Sequence, residues 1–198
     1  MGTIDDLIRM MPPPAEPLNR GSENEWNEFQ QNVGLWFPRD YFVVIYTYGS
    51  GSFLAGELRV NNPLEPADAA SVEREFKTLR ESKQIFPVFP ESGGLYPFAI
   101  DGNGNTFLWL TQGPPEEWSI VCLNSKDHHE VVKLSLVEFL IRMATNRLAI
   151  DHQKFWGCEF AKNQLEFIPR RSPSTHGRRS TGLREHAEPG AAANGGTM

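Results

Sequence analysis

Asp101-Gly102-Asn103-Gly104-Asn105 places three side-chain oxygen donors at alternate positions, the spacing with which a calcium loop begins. Such a loop also needs glycine at its sixth position and a bidentate glutamate at its twelfth, where this chain has Thr106 and Gln112. The residues that follow read as strand and not as an exiting helix, so the run is expected to be a structural turn. His128-His129-Glu130, with His152 and Cys158 further on, is the donor set that zinc would use. Adjacent histidines on a strand point to opposite faces, and no His-x-x-x-His pair puts two imidazoles on one helix face. An exposed loop pair is the expectation there. Gly49-Ser50-Gly51-Ser52 lacks the register of a nucleophile elbow, and Gly102-Asn103-Gly104 lacks the third glycine of a dinucleotide loop. Cys122 and Cys158 have no metal-ligand spacing and read as reduced thiols. The spacing of these residues points to no catalytic pair, metal or cofactor.

The elements that would position any site are marked by caps and periodicity. Thr3-Ile4-Asp5-Asp6 opens a short helix with Ile4, Leu7, Ile8 and Met11 on one face, stopped by Pro12-Pro13-Pro14. Whether it docks on the body is open. Ser22-Glu23-Asn24-Glu25 is a capping box, followed by Trp26, Phe29 and Val33 at helical spacing and Gly34 as a stop, which predicts a helix over 22–33. Pro38 and Gly49 bracket a second helix over 38–48, although Phe42-Val43-Val44-Ile45-Tyr46 has strand composition. A strand is expected over 51–62, broken at Gly56, and a helix over 68–81 with a Glu73–Lys77 pair on its surface. Residues 84–89 are expected to be a short extended piece.

Leu95–Ile100 and Thr106–Thr111 flank the Asp/Asn/Gly turn as a hairpin. Trp118–Leu123 and Val131-Val132 add strands at separations short enough for an antiparallel meander. Leu95, Phe98, Phe107 and Trp109 are candidates to contact covering helices, with the inward set undecided by an imperfect alternation. Ser135-Leu136-Val137-Glu138 forms a further capping box, opening an apolar helix through about residue 149. Residues 155–168 carry enough large apolar side chains to be ordered, as helix or strand. From Pro169 onward the chain has too little apolar content to offset ordering entropy, and disorder is expected. The organisation is therefore a short helix and Pro-rich linker over 1–21, a domain over 22–168, and a tail over 169–198.

Charge is unevenly placed along the 198 residues. Five arginines against Glu185 and Glu188 give residues 169–198 a net +3, which leaves −9 on residues 1–168 for a total of −6. An acidic body disfavours direct nucleic-acid binding, which needs basic residues to displace counterions. It suits a basic protein partner, though acidic bodies are common without one. No apolar run reaches the roughly 18 residues of a membrane span. The acidic start, interrupted by prolines, is unlike a signal peptide, so a cytoplasmic location is expected.

Taken in order, Trp26, Gly34-Leu35-Trp36-Phe37-Pro38-Arg39-Asp40-Tyr41 and Tyr48-Gly49-Ser50-Gly51 resemble the opening of the SUKH superfamily, the Smi/Knr-like family. Phe37 stands where members usually have leucine. Leu58…Asn62-Pro63, Phe86-Pro87-Val88-Phe89-Pro90, the Asp101–Asn105 turn with Trp109, Gly113…Trp118 and Ser135…Phe139-Leu140 continue the resemblance across residues 22–149. It implies an α+β fold, a central and mostly antiparallel sheet packed by helices, with no enzyme chemistry and no catalytic or binding residue shared by the family. Bacterial members are often immunity proteins that neutralise a cognate toxin, frequently a nuclease, of polymorphic toxin systems. Eukaryotic relatives act as interaction hubs in cell-wall and growth signalling. The resemblance thus implies a protein partner, with a basic toxin domain as first reading and a regulatory or scaffolding role as second. The exposed acids near turns, Glu116, Glu117, Asp127 and Glu130, are the candidate contact residues.

Overall fold

In a computed structural model of the chain, the described residues are 2–82, 85–155 and 165–170. The elements in chain order are α1 (Ile4–Met10), α2 (Glu23–Val33), α3 (Arg39–Tyr48), β1 (Gly51–Ser52), β2 (Leu58–Val60), α4 (Pro66–Glu81), β3 (Leu95–Asp101), β4 (Thr106–Leu110), β5 (Ser119–Leu123), β6 (His129–Val132), α5 (Leu136–Ala144), α6 (His152–Phe155) and β7 (Ile168–Pro169). Strands β2 to β6 form one antiparallel sheet in sequence order, and β1 pairs separately with β7. The fold is α+β, a five-stranded antiparallel sheet packed by helices.

Both faces of the sheet are covered. Phe98, Phe107, Trp109, Ile120 and Cys122 join the main core with residues of α1, α2, α3 and α5, whereas Leu95, Leu108, Leu110 and Val121 meet Leu79 of α4 on the other face. Double coverage buries all of β4 and nearly all of β3, which erases the in/out alternation expected of a half-exposed strand. A register shift between Pro97 and Ala99 adds to this. Of the four hairpin candidates, Phe98, Phe107 and Trp109 face the main helical layer and Leu95 faces away from it.

Helix α1 is part of the body. Thr3 and Asp6 close a complete capping box, Leu7 and Met11 are fully buried, and the Tyr48 hydroxyl donates to the Met11 carbonyl at 2.8 Å. The linker then runs against Gly49, where a Cβ would lie 2.4 Å from the Leu18 carbonyl oxygen, and Ser50 donates its amide to that same oxygen at 2.8 Å. Only glycine fits this φ of +68° at such close backbone approach.

Several expectations change at their edges. The strand expected over 51–62 divides because Leu54 and Ala55 take left-handed φ values of +55° and +54° ahead of Gly56 at +102°, turning the chain from β1 into β2. The Ala55 amide donates to the Glu166 carbonyl at 2.9 Å, which ties this turn to the later segment. On α4, Lys77 lies 3.9 Å from Glu81 and not beside Glu73. Helix α5 stops at Ala144, well short of residue 149, with Asn146 at a left-handed φ of +53°. Its capping box is half formed: Ser135 accepts the Glu138 amide, but the Glu138 carboxylate accepts from the Gly2 amide and from Arg142 Nε. Within 155–168, Phe155 ends α6, residues 156–164 lie outside the described residues, Phe167 packs against Tyr48 and Phe53, and Ile168 begins β7. Strand β7 and Arg170 carry ordered contacts two residues past position 168, and the disorder expected beyond them falls on residues 171–198, outside the described residues. No helix among the described residues is long and apolar enough to cross a membrane.

Candidate protein-interaction surface

The residues first considered for chemistry are engaged in structure. Asp101 Oδ1 accepts the amides of Asn103 and Asn105 at 2.9 and 2.8 Å, and its Oδ2 accepts the Asn105 side-chain amide at 2.6 Å. That amide also donates to the Phe155 carbonyl at 3.0 Å, so the carboxylate serves the turn and the turn anchors α6. His128 and His129 are half-buried and not fully exposed: His128 Nε2 lies 3.2 Å from Glu130 Oε1, and the His129 ring meets the edge of Phe86 at 6.0 Å. Among the described residues no group of three or more His, Cys, Asp or Glu side chains is placed to hold a metal. Cys158 lies outside the described residues. Burial pushes the Cys122 thiol well above its ordinary range, the opposite of what a nucleophilic thiol requires.

The surface with a distinct composition lies along α2 and α3. Gly34 ends α2 in the left-handed region at φ +71°, and an extended link then leads into α3. Successive side chains of an extended link point to opposite sides. Phe37 therefore plugs the core, stacking on Phe29 at 5.3 Å and meeting the edge of Tyr96 at 4.8 Å, while Trp36 is left 57% exposed. The Phe37 amide donates to Gln30 Oε1 at 2.9 Å, which holds the link against α2.

Helix α3 continues the face. Pro38 offers no side-chain cap, and the Arg39 amide instead donates to Glu116 Oε1 at 2.8 Å across the β4–β5 connection. The Arg39 guanidinium lies 3.1 Å from Glu23 and 4.4 Å over the Phe42 ring, and Arg20 lies 4.1 Å over Tyr46, itself 41% exposed. Phe42 and Tyr46 stack at 5.6 Å. Two shallow clefts of about 310 and 550 Å³ meet along Glu23, Arg39 and Phe42, so Trp36 and Tyr46 belong to one continuous surface. Aromatic residues and arginine are the types enriched at the centres of protein interfaces. Two exposed acids border them: Glu23, paired with Arg39 on a helix without a basic residue, and Glu116, which accepts the Arg39 amide.

Beneath this surface Asp40 joins α3 to α5 by accepting the Val137 amide at 3.1 Å. Burial raises its carboxyl above the ordinary 3.8, against the lowering effect of the Val137 and Leu136 amides and the Ser135 hydroxyl, and the Glu116 charge adds to the rise. The folded state thus holds this proton more tightly than the unfolded chain does. The stability contributed by protonated Asp40 is complete below pH 3.8 and is lost as pH rises through the raised value. In Asp40→Asn, stability relative to the wild type should therefore move in the variant's favour across that window and level off above it, as read from urea midpoints at stepped pH.

The four acids singled out from the sequence do not form one patch. Glu116 and Glu117 occupy the turn Pro115–Glu117 before β5, and Asp127 and Glu130 lie around the turn after it. The five residues of β5 separate the two pairs by about 17 Å of strand at ~3.4 Å per residue. Glu116 borders the Trp36 face. Glu130 accepts the Asp151 amide at 3.0 Å, and Asp127 is exposed at a left-handed φ of +59°. Sequence reasoning missed Trp36, Arg39, Phe42 and Tyr46. The available signal was Trp36-Phe37 in a short link between two helices, where both rings cannot turn inward.

A family model described as SUKH_6: SMI1-KNR4 cell-wall matches residues 23–140, from the start of α2 into α5. No curated protein and no solved structure matches the chain.

Proposed function

Because the chain belongs to the SUKH superfamily, through its SMI1-KNR4 family, we propose that it is a non-catalytic protein-binding domain, an immunity protein that neutralises a basic toxin domain through the α2–α3 face. The superfamily is generally non-catalytic. The observation that carries the reading is the exposed Trp36 set among Arg39, Phe42 and Tyr46. Leaving a large ring in water beside stacked arginines is costly for an isolated domain and useful for one that meets a partner. The acids around this centre, on a body of net negative charge, complement a basic surface and would speed encounter.

Co-expression with basic toxin domains from the same genome tests this directly: cells should survive and a stoichiometric complex should be recovered. Failure of both protection and complex formation removes the toxin reading. Trp36→Ala should weaken that complex by about 30-fold or more, the ~2 kcal/mol of an interface hot spot, without shifting the thermal midpoint, because the side chain contributes little to the core. The cell-wall description of the matching family favours a second reading, a regulatory or scaffolding module. Capture of endogenous host proteins by the wild type but not by Trp36→Ala, without toxin protection, would support it.

A further inference from the structure

A second cleft, of about 310 Å³, lies between α2 and α4, lined from α2 by Phe29 and Val33. Its walls carry the rings of Phe29, Tyr41, Phe76, Phe89 and Tyr96 with short aliphatic side chains between them, and Glu73 is the one charged residue lining it. Phe76, Phe89 and Tyr96 pack edge to face or tilted at 5.3 to 6.2 Å, which makes that wall rigid. Among the described residues no cation is paired with Glu73, since Lys77 reaches toward Glu81. The Phe76 ring already attracts a cation, with the Arg80 guanidinium 5.2 Å from its centroid.

Aromatic walls attract the CH₂ groups and positive head of an organic cation, and one carboxylate at the mouth fixes the sign of the charge. An anion would meet Glu73 with repulsion, and a neutral apolar ligand would leave it unused. The volume, at the small end of the range of roughly 300–1,000 Å³ for ligand clefts, suits one side chain and not a segment of helix. We propose that this cleft is a receptor for a single alkylammonium group, the lysine side chain of a basic protein partner, with the stem lying among the five rings and the ammonium on Glu73. The source of the lysine rests on the partner-binding reading above; the chemistry of the cleft does not.

Titration of the ¹⁵N-labelled full chain with n-hexylammonium, n-hexanol and hexanoate separates the alternatives. Saturable amide shifts confined to residues 29–33, 69–76 and 89–96 are expected, with hexylammonium about three- to ten-fold tighter than hexanol and hexanoate weakest. Glu73→Gln should abolish the preference for ammonium while leaving hexanol binding unchanged, which also reports that the cleft is intact. Equal affinity for hexanol and hexylammonium, no saturable shift, or a preference that survives Glu73→Gln would each overturn the proposal. A hexylammonium site without any toxin complex removes the toxin reading and leaves the cleft. A toxin complex without a hexylammonium site does the reverse.

Discussion

Replacing Trp109 by alanine is expected to destabilise the protein by about 3–5 kcal/mol, the range for a large aromatic removed from a packed core. Trp109 is 2% exposed on the central strand β4. Its ring stacks on Phe98 at 4.3 Å, takes the edge of Tyr41 at 4.7 Å, and lies 5.8 Å from Phe37 and 6.2 Å from Trp118. These neighbours come from β3, α3 and the segments just before α3 and β5, so no single movement can fill the space left behind. Against a total stability of roughly 5–15 kcal/mol, the loss would leave a large unfolded fraction in the less stable half of that range. The urea midpoint measures it, with the remaining tryptophans as reporters. A midpoint within error of the wild type would contradict the placement of this ring.

Asp68→Ala is the second large effect, because it removes the centre of a buried charge cluster. The Asp68 side chain is 1% exposed; its Oδ2 accepts the Asn62 amide at 3.0 Å, and its Oδ1 lies 2.6 Å from Arg170 and 3.7 Å from Arg59. Removing one member of a buried pair leaves the other charge without compensation, typically at 3–5 kcal/mol. Here the two arginine side chains are 34% and 28% exposed and can partly rehydrate, whereas the Asn62 amide cannot. The expected loss is about 2–4 kcal/mol. Arg170→Met should lose less, about 1 kcal/mol, since Arg59 remains for Asp68. Thermal midpoints of the two variants separate these cases, and an Arg170→Met loss equal to that of Asp68→Ala would show that the cluster depends on Arg170 alone.

Local chemistry made much of the architecture legible. The capping boxes at Thr3 and Ser22 and the Pro38–Gly49 bracket locate three helices, and the Asp101–Asn105 turn locates the hairpin from which the meander follows. What stayed hidden depended on distant partners. Glu138 has the spacing of a capping residue but is drawn to Gly2, 136 positions away. Leu95 follows a buried pattern on both faces, and no local rule states which layer it meets. The candidate surface was the least legible part. Acids near turns were conspicuous in the sequence, but Glu130 is used to hold the body together. The informative residue was a tryptophan beside a phenylalanine, of which the fold could bury only one.

The pairing of β1 with β7 has a consequence for how the chain matures. By Val132 a nascent chain has supplied every strand of the main sheet, with β3 to β6 joined by short connections and β2 joined to β3 by the longer segment that carries α4. Tyr48 and Phe53 nevertheless wait for Phe167, Ser52 waits for Ile168, and Leu7 and Met11 wait for α5. A fragment cut to the matched span of 23–140 would lack α1, the last turn of α5 and residues 165–170, and would leave Tyr48 without both Met11 and Phe167. Closure of such long loops is the slow step in chains of this topology. Synthesis from the amino end would therefore keep the domain incomplete until residues 165–170 clear the ribosome, and hold it until then in reach of chaperones and proteases.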